Sequence, residues 1–252
     1  MALADLAYPE CDYGKTGLTT VVCQLRFNPI LKIGQAAPVD FQDRVRQAFP
    51  EFVREESIEL RVALGASFPT TVESLPPTPA TWRFRTEDGA WVAGLAANFL
   101  SLETRAYRHF PDFAERFSVL LSALTDVYGI RSFGRVGLRY VNLFKHEQFP
   151  GAWTDRINPS LLGPLADAQI GADVTGAQQL FALAGDDWTI AVRHGLDDSG
   201  NYLLDFDHST ASKVEVDAVK LKLTEFNRRI FQVFRWSITD TMHEEMEPTH
   251  RD

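Results

Sequence analysis

The middle of the chain alternates. In F-G-R-V-G-L-R-Y-V-N-L-F, residues 133–144, Val136, Leu138, Tyr140, Asn142 and Phe144 fall on one side and Arg135, Gly137, Arg139, Val141 and Leu143 on the other, which is the period of a strand. The same pattern recurs at 19–27, where Val21, Cys23, Leu25 and Phe27 oppose Val22, Gln24 and Arg26. It predicts further strands over 58–64, 82–85, 91–97, 99–104, 178–184, 188–194 and 202–208. Asp88-Gly89 marks a tight hairpin between the strands at 82–85 and 91–97. In three places the period lengthens to that of a helix. A short helix opens at Pro38 with the stripe Phe41, Val45, Ala48 and Phe49 and closes at Pro50. A strong helix starts near Pro111, carries Phe113, Phe117, Leu120, Leu121, Leu124 and Val127 on one stripe, and ends at Gly129. The last is read as one long helix over 214–246, with Val219, Leu223, Phe226, Ile230, Val233, Phe234, Ile238 and Met242 at helical spacing. Pro248 then stops it, and the acidic tail frays. Residues 1–17 lack periodicity and read as a lead-in arm. The segment 68–79, with Pro69, Pro76, Pro77 and Pro79, reads as an extended surface loop. Residues 151–163 are loop-rich, with a helical turn near 160–168.

Set side by side, the halves 18–129 and 130–247 run in one order: strand, short helix, three or four strands, long helix. T-E-D-G-A-W-V-A-G-L in the first matches L-A-G-D-D-W-T-I-A-V in the second: an acidic turn, a tryptophan, an alternating strand. V-V-C-Q-L-R-F in the first half likewise corresponds in position to V-G-L-R-Y-V-N-L-F in the second; hairpin turns favour Asp and Gly in any case, so coincidence is the alternative to duplication. The expectation is one α+β domain over 1–252, a curved antiparallel sheet built from two pseudo-repeats in the order of the TATA-binding-protein-like class. Each long helix has a single apolar stripe and needs a sheet to cover, so helices pack on one face and the other is left to solvent, ligand or partner.

Of the 252 residues, 25 are Lys or Arg and 34 are Asp or Glu, a net charge of −9. That balance argues against a surface built to hold duplex nucleic acid through its phosphates. No apolar run approaches the roughly 18 residues that span a bilayer. The start, M-A-L-A-D-L-A-Y-P-E, has no basic stretch before an apolar one, as a secretory signal would. Cys11 and Cys23 form no C-x-x-C pair, and the simplest expectation is a cytoplasmic protein with two reduced thiols, Cys23 being a small buried hydrophobe. No cofactor or metal is implied: a glycine-rich phosphate loop, a G-x-S-x-G elbow and zinc spacing are all missing from the sequence.

The alternation does assemble one charged surface. Arg26, Arg83, Arg85, Arg135, Arg139 and Arg193 point away from the apolar side of their strands, as do Glu103, Asp205 and Asp207. On one sheet, these guanidinium groups either form cross-strand charge pairs with the carboxylates or grip a phosphate or carboxylate bidentately. In L-D-F-D-H, Asp205 and Asp207 share a face, and with His194 and His208 on neighbouring strands they would offer carboxylate and imidazole to a divalent metal, but His208 alternates to the other side and no H-x-x-x-H or H-E-x-x-H spacing supports it. Glu247 lies four residues from His243, a spacing that would let both reach one ion or partner charge, but with Glu244 they read as a solvated acidic helix end. Asn142, on the apolar side, needs partners for its amide and is expected to bridge to a helix terminus.

Several segments, V-V-C-Q-L-R-F-N-P (21–29), D-F-Q-D-R-V-R-Q-A-F-P (40–50), L-S-L-E-T-R-A-Y (100–107), R-V-G-L-R-Y-V-N (135–142) and L-L-D-F-D (203–207), resemble a sporadically distributed family of bacterial proteins of unknown function. The resemblance covers nearly the whole chain and brings no activity or catalytic residue. It suggests an accessory role, such as a component of a defence or toxin-control locus. The leading expectation is therefore a non-catalytic binding protein that meets an anionic ligand or a protein partner on the arginine-bearing face. An enzyme acting on a phosphorylated or carboxylated small molecule is the alternative, with Arg135 and Arg139 holding the anion and Asp205 or Asp207 as base. Binding of single-stranded nucleic acid on the sheet is the third. Exposed strand edges allow a homodimer.

Overall fold

The alternating segments become strands and the striped segments helices in the computed structural model, which describes residues 6–55 and 81–250. In chain order these are β1 (Cys11–Tyr13), β2 (Leu18–Arg26), α1 (Leu31–Gln35), α2 (Val39–Val45), β3 (Glu51–Glu55), β4 (Thr81–Arg85), β5 (Trp91–Ala96), β6 (Phe99–Thr104) and α3 (Phe110–Tyr128). Next come β7 (Ser132–Phe133), β8 (Arg135–Phe144), α4 (Pro159–Leu162), β9 (Ala177–Ala184), β10 (Trp188–Leu196), β11 (Tyr202–Thr210), β12 (Val214–Glu215), α5 (Val219–Ser237), α6 (Asp240–Glu245) and β13 (Pro248–His250). Nine strands form one antiparallel sheet in the order β3-β4-β5-β6-β2-β8-β11-β10-β9, so the α+β class with a large antiparallel sheet is as expected. The strand expected over 58–64 and the loop over 68–79 lie outside the described residues.

One side of this sheet is core. Val21, Cys23 and Leu25 of β2, Val136 and Leu138 of β8, and Leu204 and Phe206 of β11 are completely buried. Facing them are Phe113 and Phe117 of α3 and Phe226 and Ile230 of α5. Each such side chain contributes about 1.5–3 kcal/mol on leaving water. The stripe of α3 is buried as its spacing requires, and its ends carry the anticipated signals. Pro111 lies in the first turn, the His109 ring accepts from the Asp112 N–H at 3.3 Å, and Gly129 closes the helix at φ 66°, a left-handed conformation that glycine adopts without penalty.

The long C-terminal helix does not run from 214 to 246. Val214 and Glu215 pair instead with Phe133 and Ser132, α5 spans 19 residues, and the chain leaves helical geometry at Ile238 (φ −114°, ψ 153°) before α6. The apolar spacing continues through this break, which is why periodicity alone missed it. Backbone partners impose it: Asn158 N–H donates to Ser237 O (2.9 Å), and Thr239 N–H donates to Arg156 O (2.8 Å). The Thr239 hydroxyl then accepts from Met242 N–H and caps α6. The tail does not fray either. Pro248–His250 pairs with Cys11–Tyr13, and the arm is fastened to α5 by Gln232, whose side chain accepts from Tyr8 N–H (2.8 Å) and donates to Tyr8 O (2.9 Å). Neither α1 nor β3 is legible in the periodicity. The turn near 160 is only the four-residue α4 followed by a 3-10 turn, Gly163–Ala166.

Candidate functional site

Register decides which side chains meet. Across the four inner strands β2, β8, β11 and β10, Arg26 stands opposite Arg135, Asp207 opposite Arg139, and Asp205 opposite both Val141 and Arg193. Their neighbours in sequence, such as Leu25, Val136, Phe206 and Val192, are buried in the core, so all these charged groups lie on the side away from α3 and α5. On that side Val22, Gln24, Arg135, Arg139 and Arg193 are partly exposed and Arg26 is exposed.

The carboxylates take most of the guanidinium groups. Arg139 grips Asp205 bidentately, Nε to Oδ1 and Nη2 to Oδ2 each at 2.7 Å, and Arg193 reaches Oδ2 of the same carboxylate at 3.3 Å. Asp205 is thereby buried, at 1% exposure, between two cations. The hydrogen bond to Asp205 also holds the Arg139 guanidinium above its ordinary pKa, against the opposing effect of burial. Arg135 donates to Asp207 Oδ1 at 3.1 Å. It does so by lying across Gly137, where a Cβ would come within 2.7 Å of Arg135 Nη1. Arg26 is different: it donates only to Gln24 Oε1 (2.9 Å), is exposed, and makes no ion pair with a described residue. Three guanidinium groups therefore share two carboxylates here, and Arg26 stands beside them as a fourth cation.

Arg83, Arg85 and Glu103 sit on the same face but in a second group. With Arg105 they line a depression of about 270 Å³ over β4, β5 and β6, and Glu103 lies 4.0 Å from Arg105. Val22 separates Glu103 from Arg139 in the register, two strand spacings or roughly 10 Å. The residues singled out in the sequence thus share one face, without converging on one point.

His194 and His208 lie on the core side. His208 is fully buried and stacks on Phe226 with ring centroids 3.7 Å apart. Neither of its ring nitrogens makes a hydrogen bond of ordinary geometry to a described residue. Burial, helped by the nearby Arg229 and Lys222 cations, lowers its pKa to about 3. His194 is likewise lowered by burial, with Nδ1 3.2 Å from the Tyr202 hydroxyl. Burial also raises the Cys23 thiol well above its ordinary pKa, in keeping with a core role. His243 and Glu247 do not act together: His243 Nδ1 meets the Tyr13 hydroxyl at 3.0 Å, while Glu247 lies beyond the end of α6 at φ 58°. Asn142 does not bridge to a helix terminus; its Nδ2 donates to Leu204 O of the neighbouring strand at 3.1 Å.

Sequence reasoning also missed a cleft of about 330 Å³ on the core side, floored by Tyr140 and Asn142 and closed by the N-terminal arm. An asparagine among apolar positions was its one legible sign. No helix among the described residues is long and apolar enough to cross a membrane. Compared with known protein families and with curated proteins, this chain matches none.

Proposed function

We propose that this chain is a non-catalytic binding protein whose open sheet face receives an acidic segment of a partner protein, centred on Arg26 and Arg135. The observation that carries this reading is the local excess of guanidinium: Arg26, Arg135, Arg139 and Arg193 against Asp205 and Asp207, in a chain of net charge −9. Arg139 is committed to a buried carboxylate and acts as scaffold, whereas Arg26 has its cation unspent. The same face bears Leu180, 65% exposed on β9 opposite Arg193, an apolar contact at the end of the charged ladder away from Arg26. The inner-strand surface is a ladder of paired side chains rather than a cleft, a shape that suits an extended chain better than a small metabolite.

Two halves of common origin give this face its layout in our reading. From the β2–β8 pair the order runs outward as β6-β5-β4, with β3 beyond, on one side and β11-β10-β9 on the other, and a 19-residue helix follows each set of strands, directly after β6 and, after β11, past β12 and a 3-10 turn. Arg26 and Arg135 then face each other across the junction of the halves. The sheet ends on β9, eight residues without a charge, an edge suited to pairing with a second copy. Light scattering should report a dimer that Leu180→Lys returns to monomer; a monomeric parent contradicts this part of the reading.

The binding test is fluorescence anisotropy with a dye-labelled dodecaglutamate peptide. It should bind at low salt, weaken as salt rises past about 0.15 M, and lose at least about tenfold in affinity with Arg26→Glu/Arg135→Glu. Absence of binding, or equal binding by the double variant, overturns the proposal. Tight binding of pyrophosphate in preference to the peptide would favour a phosphorylated small molecule instead, and preference for an oligothymidylate would favour single-stranded nucleic acid.

A further inference from the structure

On the opposite side of the sheet from the arginines, the cleft closed by the arm has the makings of a small-molecule site. Tyr140 and Asn142 are two residues apart on β8 and point the same way, into a space walled by Asn227, Phe231 and Phe234 of α5 and by Tyr107, which precedes α3. At about 330 Å³ it is at the small end of ligand pockets, room for one or two rings and a substituent.

Its polar groups are oriented. The Tyr140 hydroxyl donates to Asn227 Oδ1 at 2.8 Å and is 3.0 Å from the Tyr107 hydroxyl. This fixes the Asn227 amide with its Nδ2 turned away from Tyr140, and that nitrogen donates to no described residue. Asn142 is 5% exposed, and its Nδ2 is held by Leu204 O, so its Oδ1 is presented as an acceptor that no described residue uses. That oxygen is open to the cleft, and a ligand that covered it without offering an N–H would leave it unpaired at a cost of about 1–3 kcal/mol. The Tyr107 ring meets Tyr140 edge to face at 5.4 Å between centroids, and Phe231 and Phe234 add flat apolar wall. The lining also includes the carboxylates of Glu10 and Asp12 and one guanidinium, Arg108, a balance that disfavours a phosphate.

We propose that this cleft binds an uncharged planar heterocycle whose edge carries an N–H beside a carbonyl, the lactam edge of an oxopurine base or its nucleoside. The N–H donates to Asn142 Oδ1, and the carbonyl accepts from Asn227 Nδ2. Because Leu204 O prevents the Asn142 amide from reversing, the cleft discriminates against rings that present a bare nitrogen at that edge.

Calorimetric titration with inosine and adenosine, which differ at that edge, tests this directly. Inosine should bind at least about tenfold more tightly than adenosine, a gap of the size expected when a site's buried polar group goes unpaired. Asn142→Leu should abolish the preference, but it also frees Leu204 O and risks the fold. Asn227→Leu, on a half-exposed helix position, keeps the fold and should weaken inosine by about tenfold. Equal binding of the two nucleosides, binding of neither at about millimolar concentration, or unchanged inosine affinity in Asn227→Leu overturns the proposal.

Discussion

His208 shows how a single position can be polar by name and apolar by role. Alternation assigned it to the side away from Asp205 and Asp207, and burial against Phe226 and Trp188 makes it a core ring. Its pKa falls from 6.5 to about 3, through burial first and then the Arg229 and Lys222 cations, with the Ser209 backbone and, to a smaller degree, Asp187 opposing them. Below pH 6.5 a proton therefore binds the unfolded chain in preference to the folded one. Stability falls with pH from 6.5 towards 3, by about 1.4 kcal/mol per unit for this group. Urea unfolding should show that His208→Leu reduces the stability difference between pH 7 and pH 5 by about 2 kcal/mol. An unchanged difference would mean that the ring takes up its proton within the fold. Such a role is invisible in the motif L-D-F-D-H, because spacing shows only which face a side chain takes, and what packs on that face comes from elements far along the chain.

Among elements, the strands with strict alternation and the stripe of α3 were legible because burial on one side dictates their period. What escaped was fixed by partners instead of period: β1 and β13 exist through each other, and the break at Ile238 exists through the carbonyl and amide bonds of the 156–158 segment. The end of α3 offers a clean test. A Cβ at Gly129 meets nothing within 4 Å, so Gly129→Ala carries only the strain of φ 66°. It should cost about 1 kcal/mol and lower Tm by about 2–4 °C; no change in calorimetry would mean that the cap relaxes. Within the sheet, Arg139→Met leaves the buried Asp205 with Arg193 alone and should cost about 3 kcal/mol. By contrast, Arg26→Ala should fall within about 0.5 kcal/mol of the parent. Denaturant midpoints that rank these two the other way would reverse the division between scaffold and recognition surface.

At the scale of the molecule, the face that carries Arg26, Arg83, Arg85, Arg135, Arg139, Arg193, Glu103, Asp205 and Asp207 was readable from alternation alone, since each strand pins its charges opposite its buried residues. That Asp205 would serve two arginines was not, because it depends on which strands become neighbours. Nor was the cleft, which forms only where the arm crosses α5. Both proposed sites require a sheet with one covered side and one open side, and β2 reports on both at adjacent positions. Cys23 faces the core with 0% exposure, and Gln24 faces the arginines. Maleimide labelling of the folded Gln24→Cys variant, followed by peptide mapping, measures the two sides at once. Rapid modification at position 24 with Cys23 protected until denaturant is added is the predicted result; protection at position 24, or ready modification of Cys23, would contradict it.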